Sequence, residues 1–220
     1  MKHQELSFWR GGLARLPWAL LLGGLLACSK SEPPKPAAEP SPAASAPADP
    51  PSQTAISGES IYVLKPAMVD HTGATIPLDL FRGHPVLIAM FYGTCPAACP
   101  TLTRDIKNVL EAVEPARRAD TRVLMVSFDA ERDTPAALAA LNQKHKIDPQ
   151  VWRFAAANES SARELSAVLG VQYRKIEKGE FSHSTKIVLL DRGGVAVAEL
   201  EGLGQPADAL VAKLKSLGAP

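Results

Sequence analysis

The feature that most constrains this chain is a strand-length apolar run, Pro85 to Tyr92, which turns at Gly93 and delivers two thiols, Cys95 and Cys99, to the start of a helical pattern. An apolar run of that length with no polar alternation is how a central parallel strand, covered on both faces, reads. Beyond Pro100 the apolar positions Leu102, Ile106, Val109, Leu110 and Val113 recur at helical spacing. Proline is best tolerated in a first turn, so the helix is expected to begin near Pro100, with Cys99 at its mouth. Unpaired N–H groups and the positive dipole end favour an anion there. At least one thiol is therefore expected to be biased toward thiolate, the form that attacks disulfides and binds metals.

Strand, thiol loop and helix follow one another in the thioredoxin-like order, although the spacing is C-x-x-x-C rather than C-x-x-C. The extra residue suits two sulfurs converging on a third atom and does not forbid a disulfide. The predicted fold is α/β and thioredoxin-like, a central mixed sheet flanked by helices, with an N-terminal strand extension. Ile61 to Val63 and Ala67 to Val69 read as short strands, and Arg122 to Phe128 as a second buried strand. Asp133 or Thr134 caps a helix with Pro135 in its first turn that reaches His145. Trp152 to Phe154 reads as a strand, and Asn158 caps a helix ending at Gly170. Val171 to Ile176 extends again before a loop over 177–184. Lys186 to Leu190 and Val195 to Leu200 form a hairpin about Gly193-Gly194, and a helix over 207–217 closes the chain.

The chain has 220 residues, is 46% hydrophobic and carries a net charge of +1. That balance and the 5% aromatic content give no support to nucleic-acid binding, which would want a basic stripe with interleaved stacking residues. Lys2, Arg10 and Arg15 precede an apolar stretch from Leu16 to Leu26 that is short for a bilayer span, followed by Leu25-Leu26-Ala27-Cys28. This resembles a bacterial lipoprotein signal, which implies lipidation at Cys28 and a cell-envelope, periplasm-facing protein tethered to the inner or outer membrane. Residues 30–52 are dominated by Pro, Ala, Ser and Glu, which bury too little apolar surface to offset chain entropy. The expected organisation is a signal over 1–27, a lipidated cysteine and extended tether over 28–56, and one folded domain over 57–220.

Of three cysteines, one is assigned to lipid, so Cys95 and Cys99 stand outside any structural disulfide framework. A bridge between them closes too short a loop to remove much chain entropy. A metal held by two thiolates wants a third ligand, and five histidines are available. His3 falls in the signal, His71 in a polar turn, His84 before the central strand and His145 late in a polar helix. His183, in the loop entering the Lys186 strand, is expected to face the thiol loop across the end of the sheet, which makes it the candidate third ligand. His71 and His84 read as surface residues.

Cys95-Pro96-Ala97-Ala98-Cys99-Pro100, the run Val126-Ser127-Phe128-Asp129-Ala130-Glu131-Arg132-Asp133-Thr134-Pro135, and His183-Ser184 leading into Val188 to Asp191 resemble the Sco/SenC family in order and spacing. The resemblance covers the chain from Ser57 onward. It implies a thioredoxin-fold copper chaperone in which Cys95, Cys99 and His183 bind copper for delivery to the binuclear centre of cytochrome c oxidase subunit II. Ser182 stands where the family often has Asp, and the segment between Tyr173 and His183 is short. The chemistry agrees independently, because two thiolates and an imidazole are soft-to-borderline ligands suited to Cu(I), and the imidazole also serves Cu(II). Asp129, at the end of the neighbouring strand, is expected either to orient a ligand and tune thiol protonation or to serve as a turn residue. The alternative is a thiol-disulfide reductase working through Cys95 and Cys99 on oxidase-subunit or other exported thiols. As a chaperone the protein needs a thiol reductase partner of its own to keep the pair open. A peroxiredoxin-like reading of Thr94 fails on its spacing to Cys95.

Overall fold

The computed structural model describes residues 58–95 and 98–218. The expected signal and tether, with the expected lipidation site Cys28, lie outside the described residues. Among the described residues a six-stranded sheet runs in the order β1-β4-β3-β2-β7-β8. These strands are β1 Met68–Asp70, β2 Val86–Phe91, β3 Arg122–Ser127, β4 Trp152–Ala157, β7 Lys186–Leu190 and β8 Ala196–Glu201. A separate two-stranded ribbon pairs β5 Tyr173–Lys175 with β6 Phe181–His183. Strands β2, β3 and β4 are parallel, while β1, β7 and β8 join antiparallel, which makes the sheet mixed as the sequence predicts.

Every residue of β2 is buried, and the period-2 alternation of a strand sends its side chains to two different cores. Val86, Ile88, Met90 and, just beyond the strand, Tyr92 meet Leu165 and Leu169 of α4 Glu159–Leu169 together with N-terminal residues such as Tyr62 and Phe81. Leu87, Ala89 and Phe91 meet Leu102, Ile106 and Val109 of α1 Ala98–Glu111, Leu138 of α3 Pro135–His145 and Leu210 of α5 Asp208–Ser216. Each large side chain so buried contributes about 1.5–3 kcal/mol, which is why the strand that feeds the thiol loop is held on both faces.

The caps follow the sequence closely. Thr134, not Asp133, caps α3 through the bond its side chain accepts from Ala137 N, with Pro135 next; Asn158 caps α4, which ends on left-handed Gly170. Three elements differ. Ile61–Val63 is a 3-10 turn rather than a strand, because the Ser60 hydroxyl accepts from Tyr62 N at 3.3 Å and tightens the backbone there. Its Tyr62 ring lies against Gly194, where an added Cβ would come within 2.5 Å of the ring. A short helix α2, Pro115–Asp120, fills what reads as a connection, and the segment entering β7 contains the strand β6 rather than only loop.

Candidate functional site

The site is built around Tyr92, the residue that follows β2. Its carbonyl oxygen accepts the Cys95 backbone N–H at 3.2 Å, closing the turn through Gly93 and Thr94, and also accepts the Cys99 S–H at 3.0 Å. Cys95 and Cys99 are both present as thiols. Cys95 is half-buried and packs against both cores at the end of the sheet, whereas Cys99, 6% exposed, belongs to the core beneath α1.

Helix α1 begins at Ala98, so Cys99 lies inside the first turn rather than at its mouth, with its sulfur turned inward. This reverses the expectation for that thiol. Burial pushes Cys99 up to about 12, and the charges of Cys95 and Asp133 act in the same direction. A carbonyl oxygen only accepts, so the hydrogen on Cys99 Sγ is also spoken for by Tyr92.

His183 stands at the end of β6, opposite Tyr173. Its ring meets the Tyr92 ring edge-on at 5.6 Å between centroids and Phe128 at 5.4 Å. His183 Nδ1 lies 2.9 Å from the Ser184 carbonyl oxygen. Since that oxygen cannot donate, Nδ1 carries the hydrogen and Nε2 the lone pair that could ligate a metal. The thiols and the imidazole thus flank one tyrosine. Among the described residues, no three of the His, Cys, Asp and Glu side chains already converge on a single metal position.

The acidic motif after β3 closes the underside. Asp129 is buried, but its carboxylate is engaged by Arg132 Nε and its carbonyl oxygen accepts the N–H groups of Arg132 and Asp133 at 3.1 and 2.9 Å. The carboxylate bearing on the thiols is Asp133, which the sequence offers only as a helix cap. Asp133 accepts from Gly93 N at 2.7 Å and from the Ser127 hydroxyl, and burial pushes its carboxyl above the usual range against those two bonds. Gly93 has to be glycine for this contact, because a Cβ there would stand 2.4 Å from Asp133 Oδ1 and 3.2 Å from Leu141 Cδ1.

Of the other histidines, His84 is not a plain surface residue. It is half-buried, with Nδ1 2.9 Å from the Asp120 carbonyl and 3.1 Å from its carboxylate, in a cluster completed by Arg192 and Arg117. His71 is half-buried in its turn after β1, and burial pushes half-buried His145 down. Tyr92, Arg132, Asp133 and Glu180 are the site residues that sequence reasoning passes over. The S-x-D-x-E-R-D-T-P motif contained the signal for two of them, whereas Tyr92 read as strand and Glu180 as loop.

Comparison with known proteins agrees with this geometry. The family model described as SCO1/SenC matches residues 59–219. A SCO2-like protein of Rickettsia prowazekii is 26% identical over 133 residues, 58% of this chain; the match spans 63% of that relative's length. Among solved structures, the copper-bound ScoI of Bradyrhizobium japonicum is 25% identical with a TM-score of 0.58, over 70% of this chain and 97% of that one. BsSco, described as a Sco-family cytochrome c oxidase assembly protein with a disulfide switch, shares the fold at 20% identity and a TM-score of 0.59, over 68% and 89% of the two chains. With a thioredoxin-like sheet, a C-x-x-x-C turn on its central strand and a family match across the whole described domain, the chain belongs to the SCO1/SenC family.

Proposed function

We propose that this protein binds copper as cargo through Cys95, Cys99 and His183 and, tethered to the envelope membrane through Cys28, delivers it to the binuclear copper site of cytochrome c oxidase subunit II. The observation that carries the reading is the sharing of Tyr92: its carbonyl receives both cysteines and its ring receives His183, whose Nε2 is left as the ligating atom. Two sulfurs and one imidazole nitrogen fit a soft, low-coordinate monovalent copper and offer nothing to a hard cation.

The chain's own residues supply the rest. Cys99 must give up the proton it shares with the Tyr92 carbonyl before it can ligate, so loading releases protons. The rings of Tyr92, Phe128 and Phe181 pack on one another, and the first two also pack on the imidazole, which supports His183 beside the residue that binds both thiols. A disulfide between Cys95 and Cys99 removes both thiolate ligands together, so oxidation acts as an off state that a partner thiol reductase resets.

The test is anaerobic Cu(I) titration of the reduced full-length protein beside its His183→Ala variant. One copper per chain with at least tenfold weaker binding by the variant is expected. The second reading, a thiol-disulfide reductase for oxidase-subunit thiols, is favoured by the unequal burial of the two sulfurs, which suits an attacking and a resolving cysteine. Equal copper binding by the wild type and the His183→Ala variant, with full reductase turnover in both, would select it.

A further inference from the structure

The ribbon that carries His183 makes no ladder with the main sheet, so something other than strand pairing must fix where its imidazole sits. An exposed Lys175–Glu131 ion pair at 3.4 Å reaches β5 from the scaffold, and two further polar contacts end at the turn between β5 and β6. Arg132 Nη2 donates to the Gly179 carbonyl, and the Tyr92 hydroxyl donates to Glu180 Oε2 at 2.9 Å. Gly179 has φ +74, a left-handed conformation that glycine adopts without strain, and an added Cβ there would lie 3.4 Å from Arg132 Nη1.

Arg132 is itself held. Its Nε donates to the buried Asp129 carboxylate, so one planar guanidinium spans from the loop after β3 to the ribbon. The same group lies over the rings of Tyr92 and Phe181, 5.9 and 5.8 Å from their centroids. Lysine, a point charge on a flexible stem, cannot make this two-ended contact.

We propose that Arg132 is a positioning residue for the candidate copper site, a clasp that registers the His183 ribbon against the thiol turn. This rests on the reading of Cys95, Cys99 and His183 as ligands. The clasp acts through the ribbon and sets how often the imidazole is in reach. Losing it lowers the contribution of His183 and leaves that of the thiols intact. It also gives Asp129 a role the sequence left open, as the anchor of the arginine rather than a partner of the thiols.

The experiment is a double-mutant cycle on the full-length protein, with Arg132→Gln and His183→Ala alone and together, read by competitive Cu(I) titration and by hydrogen exchange of the copper-free forms. Arg132→Gln is expected to weaken copper binding about tenfold and to add nothing once His183 is alanine. In the copper-free protein, exchange at the amides of 181–183 is expected to rise about tenfold while the β2 amides keep their protection. Equal losses in both backgrounds, or unchanged ribbon exchange, overturn the clasp. If the wild type binds no copper, the functional reading fails, and the exchange arm alone decides whether Arg132 holds the ribbon. Should Arg132→Gln not fold, Arg132→Lys carries the same cycle: it keeps the charge, and the clasp requires that it fail to restore copper affinity.

Discussion

The main sheet and the His183 ribbon are held by different means, and the candidate site takes its ligands from both. Strand β2 is buried along its whole length, paired on both sides and packed on both faces. The ribbon has three residues per strand, half-exposed side chains and no partner strand beyond its own pair among the described residues. A two-stranded hairpin is marginal by itself in water, so its order depends on the aromatic and polar contacts it makes with the scaffold. One half of the site is stiff by burial. The other rests on fewer contacts, which suits the proposed uptake and release of copper.

Truncating each half should therefore give opposite signatures. Phe154→Ala, in the buried ring pair with Phe91, is expected to cost about 3–5 kcal/mol of stability by thermal unfolding while folded molecules keep their copper affinity. Phe181→Ala is expected to cost about 1 kcal/mol in stability but to weaken copper binding as much as loss of His183 does; equal effects of the two on binding would break the distinction. Gly93→Ala pushes a methyl against the Asp133 carboxylate, which is fixed by Ser127 and cannot retreat, so a loss of about 1–3 kcal/mol is expected in urea unfolding.

The pH dependence sharpens the same contrast at the thiols. Because the Cys99 proton is retained up to about 12, copper must displace it throughout the neutral range, and affinity should fall about tenfold per pH unit lowered between pH 8 and 5 for that thiol alone. The sign for folding is opposite. The unfolded thiol loses its proton near its ordinary value of 9.0 while the folded one holds it, so Cys99 contributes stability below pH 9 that is lost between about 9 and about 12. The Cys99→Ala variant should lack that decline in pH-dependent unfolding. The smallest effect expected is for Tyr92→Phe, which removes the bond to Glu180 at a cost of about 1 kcal/mol, seen as faster exchange of ribbon amides with no change in β2.

The scaffold was legible because its signals are local. The unbroken apolar run of β2, the Thr134-Pro135 start of α3 and the Asn158 to Gly170 frame of α4 each reflect a rule spanning a few residues. The site was only partly legible. The C-x-x-x-C pair and the sequence position of His183 stood out. By contrast, the inward turn of Cys99, the approach of Asp133 to Gly93 across 40 residues and the grip of Arg132 on Gly179 across 47 arise from tertiary placement. A short, polar segment such as 177–183 carries no periodicity strong enough to announce a strand, so β6 was hidden within what read as loop.

The shared acceptor at Tyr92 has a consequence for the direction of chemistry at the two sulfurs. A reagent or partner disulfide arriving from solvent meets half-buried Cys95 first, while Cys99 is shielded and keeps its hydrogen against the backbone. A mixed disulfide should therefore form at Cys95 and be resolved from within by Cys99, so that brief alkylation labels the outer sulfur and Cys99→Ser accumulates the trapped partner where Cys95→Ser does not. The strand that buries one thiol thereby makes the pair a one-way port.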